Sequence, residues 1–316
     1  METRSLGPNG PQVSLVGLGC NNFGWRIDRD ATRRVIDKAI DLGITHFDTA
    51  DIYGKTGSEQ LIGELLGARR NQIVLATKFG KASDAVPGVR GTRAYIRNAI
   101  EASLRRLRTD WIDIYYMHEP DRETPIDETL GALDSLIKEG KVRCIASSNA
   151  SAVDIADAVA LAKRNKTASF VASQEEYRLT ERGIEKGVLP TLERNGLGLV
   201  PFFPLGGGAL TGKYRRDEPM PEGARLTEVE IRGQNRFLDP HWDTIEALRS
   251  FTEQRGHTLL DLAFSWLAQR PRVASIIAGA TKPEQLEANA KAVGWKLSPD
   301  EMMEVDRIVP GPVVPV

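Results

Sequence analysis

The stretch His46-Phe-Asp-Thr-Ala-Asp-Ile-Tyr-Gly54 places a histidine, two aspartates and a tyrosine within eight positions, where an apolar run reads as a strand. A buried strand ordinarily runs out into apolar or turn-forming residues. Other apolar runs end the same way. Lys78 closes "QIVLATK", His118 closes "WIDIYYMH" with Glu119 next, Ser148 and Asn149 follow "VRCIAS", and Gln174 follows "SFVAS". A lysine behind so apolar a run needs a carboxylate partner or a lowered pKa, and Asp48 is the candidate partner. The resulting cation beside Tyr53 favours the phenolate and lowers the phenol from its usual value of about 10. A tyrosine tuned in this way delivers a proton to an oxygen and takes it back in reverse, typically worth 10²–10⁴-fold. His118 is placed to hydrogen-bond the same oxygen. No nucleophile with an adjacent base accompanies these groups, so the chemistry is proton delivery to a carbonyl that gains negative charge.

Such a set converges only if the strands that carry it lie side by side. Short apolar runs at 13–19, 44–49, 72–78, 111–118, 142–148, 169–173, 197–203 and 273–279 read as strands. Helical patterns follow each, at 28–43, 58–67, 92–107, 126–140, 151–165, around 183–195, 240–255, 258–269, 283–291 and 299–308. Asp28 or Asp30 is the expected N-cap of the first helix, and Ser58 that of the second. Eight β-α units over about 300 residues predict an α/β chain folded as a single (β/α)8 TIM barrel over 1–316, with the strand-end groups at one mouth. A doubly wound sheet would require a G-x-G-x-x-G turn after the first strand, and "GLGCNNFG" lacks that spacing. "RSLGPNGPQVSL" predicts a β-hairpin with a Pro-Asn-Gly turn, suited to plug the barrel's bottom. The long irregular stretch 204–237 falls after the seventh strand, where barrels place lids and binding loops.

Composition narrows the function further. With 42 basic and 43 acidic residues there is no electrostatic footprint for nucleic acid. No apolar run approaches the roughly 20 residues of a membrane span, and the N-terminal segment lacks the apolar core of a signal peptide. The two cysteines, Cys20 and Cys144, read as reduced thiols of a cytoplasmic protein, and no Cys/His cluster suits structural zinc.

Taken together, "HFDTADIYG", "LATKFG", "YYMHEPD", "IASSN", "FFPLGGGALTGKY" and "IIAGATKPEQLEAN" resemble the aldo-keto reductase family from about residue 13 to residue 310. Asp48 and Tyr53 five positions on, then a strand-end lysine and a strand-end histidine, match the family's tetrad. The resemblance implies hydride transfer from a reduced nicotinamide cofactor to an aldehyde or ketone, without a metal. It implies Tyr53 as general acid, Lys78 as the group that lowers its pKa, Asp48 as the holder of Lys78, and His118 as the group that orients the carbonyl. It implies that Ser148, Asn149 and Gln174 grip the cofactor carboxamide, and that Phe202, Pro204, Leu205, Gly207 and Lys213 clamp the nicotinamide and pyrophosphate. Gly279, Thr281, Lys282, Gln285 and Asn289 match the adenine side.

Three departures bear on the cofactor. Phe202 stands where the family usually stacks a tyrosine, which preserves the stack. Phe203 replaces a serine and loses one contact near the pyrophosphate. Thr281 stands where many relatives carry an arginine against the 2′-phosphate, leaving Lys282 as a point charge. NADPH is therefore expected, with NADH less favoured. Expected substrate walls are Trp25, Phe79, Glu119, Arg122 and the 214–237 segment, around a small-molecule carbonyl or alcohol. His46 reads as a core or supporting group, Asp51 as a rim or turn residue, and His241 and His257 as surface groups on outer helices. Glu59 either orients the cofactor or caps its helix. Two other readings remain: a metal-dependent hydrolase using His46, Asp48 and His118, and a nicotinamide-binding, redox-sensing regulatory subunit with little turnover.

Overall fold

The chain begins with a hairpin in which β1 (Thr3–Ser5) pairs antiparallel with β2 (Gln12–Ser14), Arg4 opposite Val13. Its turn closes through the Gly10 N–H on the Gly7 carbonyl at 3.0 Å, with Asn9 in the left-handed region at φ 61°. Asparagine tolerates that conformation, which explains the Pro-Asn-Gly sequence. Leu6 and Val13 are fully buried against barrel-interior residues such as Ala76, Tyr116 and Val200. A side chain on Gly198 would meet the Leu6 carbonyl at 1.8 Å, so only glycine lets the hairpin seat that closely. The structure, a computed structural model, describes residues 1–81, 89–227 and 236–312.

Eight parallel strands follow: β3 (Val16–Gly19), β4 (His46–Asp48), β5 (Val74–Phe79), β6 (Ile112–Met117), β7 (Val142–Ser148), β8 (Phe170–Glu176), β9 (Gly198–Phe202) and β10 (Ile276–Gly279). They lie in the order β10-β3-β4-β5-β6-β7-β8-β9. A bridge between Leu199 and Val273, with the Ala274 N–H on the Leu199 carbonyl at 2.9 Å, brings the last strand to the first and closes the barrel. The run 13–19 is thus two strands: Leu15 separates the hairpin from the barrel. The run 273–279 likewise reaches the barrel as one bridge residue and a four-residue strand.

The helices pack outside. α1 (Arg29–Asp41), α2 (Gly57–Leu66), α3 (Arg93–Leu107), α4 (Ile126–Lys138), α5 (Ala152–Asn165) and α6 (Val188–Asn195) occupy successive crossovers. α7 (Trp242–Glu253) and α8 (Leu259–Ala268) precede β10, and α9 (Pro283–Ala292) and α10 (Pro299–Ile308) follow it. Asp28 is the cap of α1, accepting the Ala31 N–H at 2.8 Å. Ser58 is not a cap. It lies inside α2, and its hydroxyl donates to the Cys20 carbonyl at 2.8 Å, tying that helix to the first loop. Glu59 neither caps nor reaches the mouth: it is fully buried, accepting Thr77 Oγ1 and Arg106 Nε at 2.6 Å each. Cys20 and Cys144 are both buried and unlinked. Among the described residues no helix is long and apolar enough to cross a membrane, and no cluster of three His, Cys, Asp or Glu side chains is arranged for a metal.

Candidate active site

Alternation along β5 decides what reaches the mouth. Ala76 and Lys78 face the barrel interior, while Thr77 and Phe79 face the helices. Lys78 is fully buried and its ammonium donates to Asp48 Oδ2 at 2.7 Å, the Thr49 carbonyl at 2.8 Å and Tyr53 Oη at 3.2 Å. Asp48 Oδ1 accepts Gln174 Nε2 at 2.8 Å, so β8 supports the ion pair from across the barrel. The Tyr53 and His118 rings meet edge to face, 6.0 Å between centroids. The four residues read from three strand ends therefore form one cluster.

The electrostatics differ from the sequence expectation at Tyr53. Burial raises the phenol above its usual pKa, and Lys78 pulls it down by less than burial pushes it up. Burial also opposes the charge on Lys78, but Asp48 and Tyr53 overcome that and hold it above the ordinary lysine value. His118 is kept well below the usual histidine range by burial and by Lys78 and Lys81, so it is neutral at physiological pH. Its Nδ1 is buried without a partner among the described residues. His46, one layer below Asp48, is pushed by burial to about 4 and holds Ser275 Oγ at 2.9 Å, which makes it a core residue.

A cavity of about 550 Å³ opens on this cluster. Asp48, Tyr53 and His118 line it together with Ser148, Asn149, Gln174 and Phe202. Pro204, Leu205, Gly207, Lys213, Gly279, Thr281, Gln285 and Asn289 line it too. Gly206, Gly207 and Gly208 all have positive φ, at 53°, 63° and 106°. A Cβ on Gly208 would lie 3.2 Å from Lys213 Nζ, so the glycines keep a cradle open beside a cation. This cradle, the amides and hydroxyl beside Tyr53 and His118, and the buried Nδ1 of His118 and Oδ1 of Asn22, which have no partner among the described residues, fit a nicotinamide dinucleotide.

Several expected residues lie elsewhere. Phe79 is buried on the outer face against Tyr115, 4.9 Å between centroids, because alternation turns it away from its neighbour Lys78. Arg122 forms a two-pronged ion pair with Asp154, with 71 % of its side chain exposed, and does not reach the cavity. Lys282 is exposed just outside it, while the Thr281 N–H and hydroxyl both bond Gln285 Oε1. Trp25 is half exposed at the rim, with the Arg225 guanidinium 5.9 Å above its ring, and Glu119 pairs with Lys81. His241 ends a short turn before α7, and His257, between α7 and α8, stacks on Trp295. In the 204–237 loop, Tyr214, Leu226 and Phe237 are buried over the glycine cradle; residues 228–235 of that expectation lie outside the described residues. Gly223 and Arg225 of the expected 214–237 wall line the cavity, whereas the sequence reading missed Asn21, Asn22, Arg26 and Lys81 as lining residues. "CNNFGWR" directly follows the first barrel strand, so the strand-end rule applied there would have found three of them.

The family model for the aldo/keto reductase family matches residues 15–310. The chain belongs to the aldo/keto reductase family. It is 33 % identical to L-glyceraldehyde 3-phosphate reductase of Escherichia coli (strain K12), covering 97 % of this chain and 92 % of that one. It is 35 % identical to the uncharacterized oxidoreductase YrpG of Bacillus subtilis (strain 168), covering 99 % and 97 %. It is also 35 % identical to a Schizosaccharomyces pombe protein provisionally named a voltage-gated potassium channel subunit beta, covering 97 % and 92 %. Family membership and these oxidoreductase relatives make the chain an NAD(P)H-dependent oxidoreductase on a (β/α)8 barrel.

Proposed function

We propose that this aldo-keto reductase is an NADPH-dependent reductase of aldehydes or ketones, running in reverse as an alcohol dehydrogenase, with Tyr53 as its general acid. The observation that carries the reading is the fully buried Lys78 ammonium bridging Asp48 and the Tyr53 hydroxyl at the edge of the cavity. When bound, the reduced cofactor supplies hydride from the nicotinamide C4 to the carbonyl carbon. Tyr53 donates its proton to the carbonyl oxygen as charge develops there, and Lys78, held in place by Asp48, stabilises the phenolate left behind. Neutral His118 donates a hydrogen bond to the same oxygen without competing as an acid. Ser148, Asn149 and Gln174 orient the carboxamide, Phe202 stacks on the ring, and the glycine cradle with Lys213 holds the pyrophosphate. Lys282, exposed at the start of α9, is the cation offered to the 2′-phosphate.

The fission yeast relative named as a channel subunit favours a second reading, a nicotinamide-binding redox sensor with little turnover. One assay separates them. The protein is mixed with NADPH, or with NADH, and absorbance loss is followed on adding an activated aromatic aldehyde. The reductase reading expects turnover that collapses in Tyr53→Phe while cofactor binding persists, with NADPH the faster cofactor. Binding without turnover on any carbonyl tried supports the sensor. No binding of either cofactor sinks both.

A further inference from the structure

Alternation gives β8 two faces. Gln174 points into the barrel toward Asp48, so Glu175 points out toward the helices. There it is 6 % exposed. Its Oε1 accepts the Ser173 hydroxyl at 2.6 Å and the Ala150 backbone N–H at 3.1 Å. Burying a carboxylate is costly, so what it holds is informative. Ala150 follows Asn149, whose backbone is left-handed at φ 52°. The Asn149 side chain donates to the His118 carbonyl and to Ser148 Oγ, at 3.0 Å each, and its N–H donates to the Gln174 carbonyl at 3.2 Å. The turn that brings Ser148 and Asn149 into the cavity is therefore pinned by β8 on its inner side and by Glu175 on its outer side.

We propose that Glu175 is the positioning residue of this turn. By holding the Ala150 N–H it fixes Ser148 and Asn149 where they grip the nicotinamide end of the cofactor, and it makes cofactor affinity depend on its own protonation. The inference rests on the nicotinamide-cofactor reading above. Glu175 is faced by hydroxyls from β7 and β8, where Ser147 and Ser173 bond each other at 2.8 Å, and by Asp154 in the first turn of α5, itself paired with Arg122. Burial raises the Glu175 carboxyl to about 7 against the pull of its two hydrogen bonds, with a further push from Asp154. The ionised form is the stronger acceptor, so the turn is held more tightly above pH 7 than below it.

The test titrates wild type, Glu175→Ala and Glu175→Gln with NADPH and NADH by quenching of tryptophan fluorescence at pH 6 and pH 8. Circular dichroism serves as the fold check. Glu175→Ala is expected to bind NADPH about tenfold more weakly at pH 8, with kcat at saturating NADPH changed less than about twofold. Glu175→Gln keeps a neutral acceptor. It is expected to match wild type at pH 6 and to bind several-fold more weakly at pH 8. Comparing wild type with variant at each pH cancels the titration of the cofactor's own phosphate. If Glu175→Ala does not fold, the pH behaviour of Glu175→Gln decides. A Glu175→Gln ratio that stays flat from pH 6 to pH 8, or a folded Glu175→Ala that binds like wild type, overturns the role of Glu175 and leaves the cofactor reading intact. A wild type that binds neither cofactor overturns that reading and this inference together.

Discussion

Two buried ion pairs sit at opposite ends of this barrel, each beside a cavity. At the mouth, Asp48 and Lys78 border a cavity of about 550 Å³. At the other end, Asp113 accepts Arg70 at 2.8 Å and Arg143 at 2.9 Å beside a cavity of about 560 Å³. Cavity size does not distinguish them, and both carboxylates are buried. What differs is where the remaining hydrogen bonds go. Arg70 spends its other donors on Thr109 and on the carbonyls of Ile73 and Trp111, and Asp113 also takes the Leu75 N–H at 3.0 Å. That pair fastens β5 to β6, and no buried side-chain polar atom of its cavity lacks a partner among the described residues. Lys78 spends a donor on Tyr53, and His118 Nδ1 nearby has no partner among the described residues. A buried charge with every bond returned to the scaffold is a structural device. A buried charge that ends on a titratable group at a cavity is a chemical one.

The sharpest way to break this comparison is a matched pair of substitutions. Tyr53→Phe removes only a hydroxyl and is expected to lower kcat by about 10²–10⁴-fold with the fold intact. Asp113→Ala is expected to do the reverse. Loss of the carboxylate leaves the Arg70 charge buried and uncompensated, at roughly 3–5 kcal/mol of stability in urea unfolding, with kcat of the folded enzyme unchanged. A large kcat loss in Asp113→Ala would abolish the distinction between the two ends.

Asp51 sharpens it from beneath the mouth. Burial and the neighbouring Glu59 raise its carboxyl from 3.8 to about 7. The folded state therefore keeps a proton that the unfolded state has released. The associated stability is complete below about pH 4 and is lost as pH rises through 7, on the order of 4 kcal/mol. Glu175 adds a slope of the same sign. Asp51→Asn, which stays neutral, is expected to flatten part of the decline between pH 4 and pH 7 in thermal unfolding, and to be more stable than wild type at pH 8. The smallest effect belongs to Arg122→Ala. Its exposed pair with Asp154 is worth at most about 1 kcal/mol, and since it does not reach the cavity, KM for the carbonyl should stay within about twofold. A larger KM shift would return Arg122 to the substrate wall.

The sequence by itself determined the strand–helix alternation, the hairpin, and the places of Asp48, Lys78, His118 and Gln174 at strand ends. These depend on periodicity and on turn chemistry between neighbouring residues, which the chain carries locally. It also held the information that Phe79 faces away from Lys78, since alternation requires it. Only the tertiary structure decided the rest. Ser58 bonds Cys20, Glu59 bonds Arg106, and Arg122 is claimed by Asp154, each a pairing between distant residues that exists only after packing. The balance at Tyr53 was decided there too. Lys78 pulls its pKa down as expected, but desolvation outweighs that pull, and desolvation is a property of everything packed around the group rather than of any neighbour in sequence.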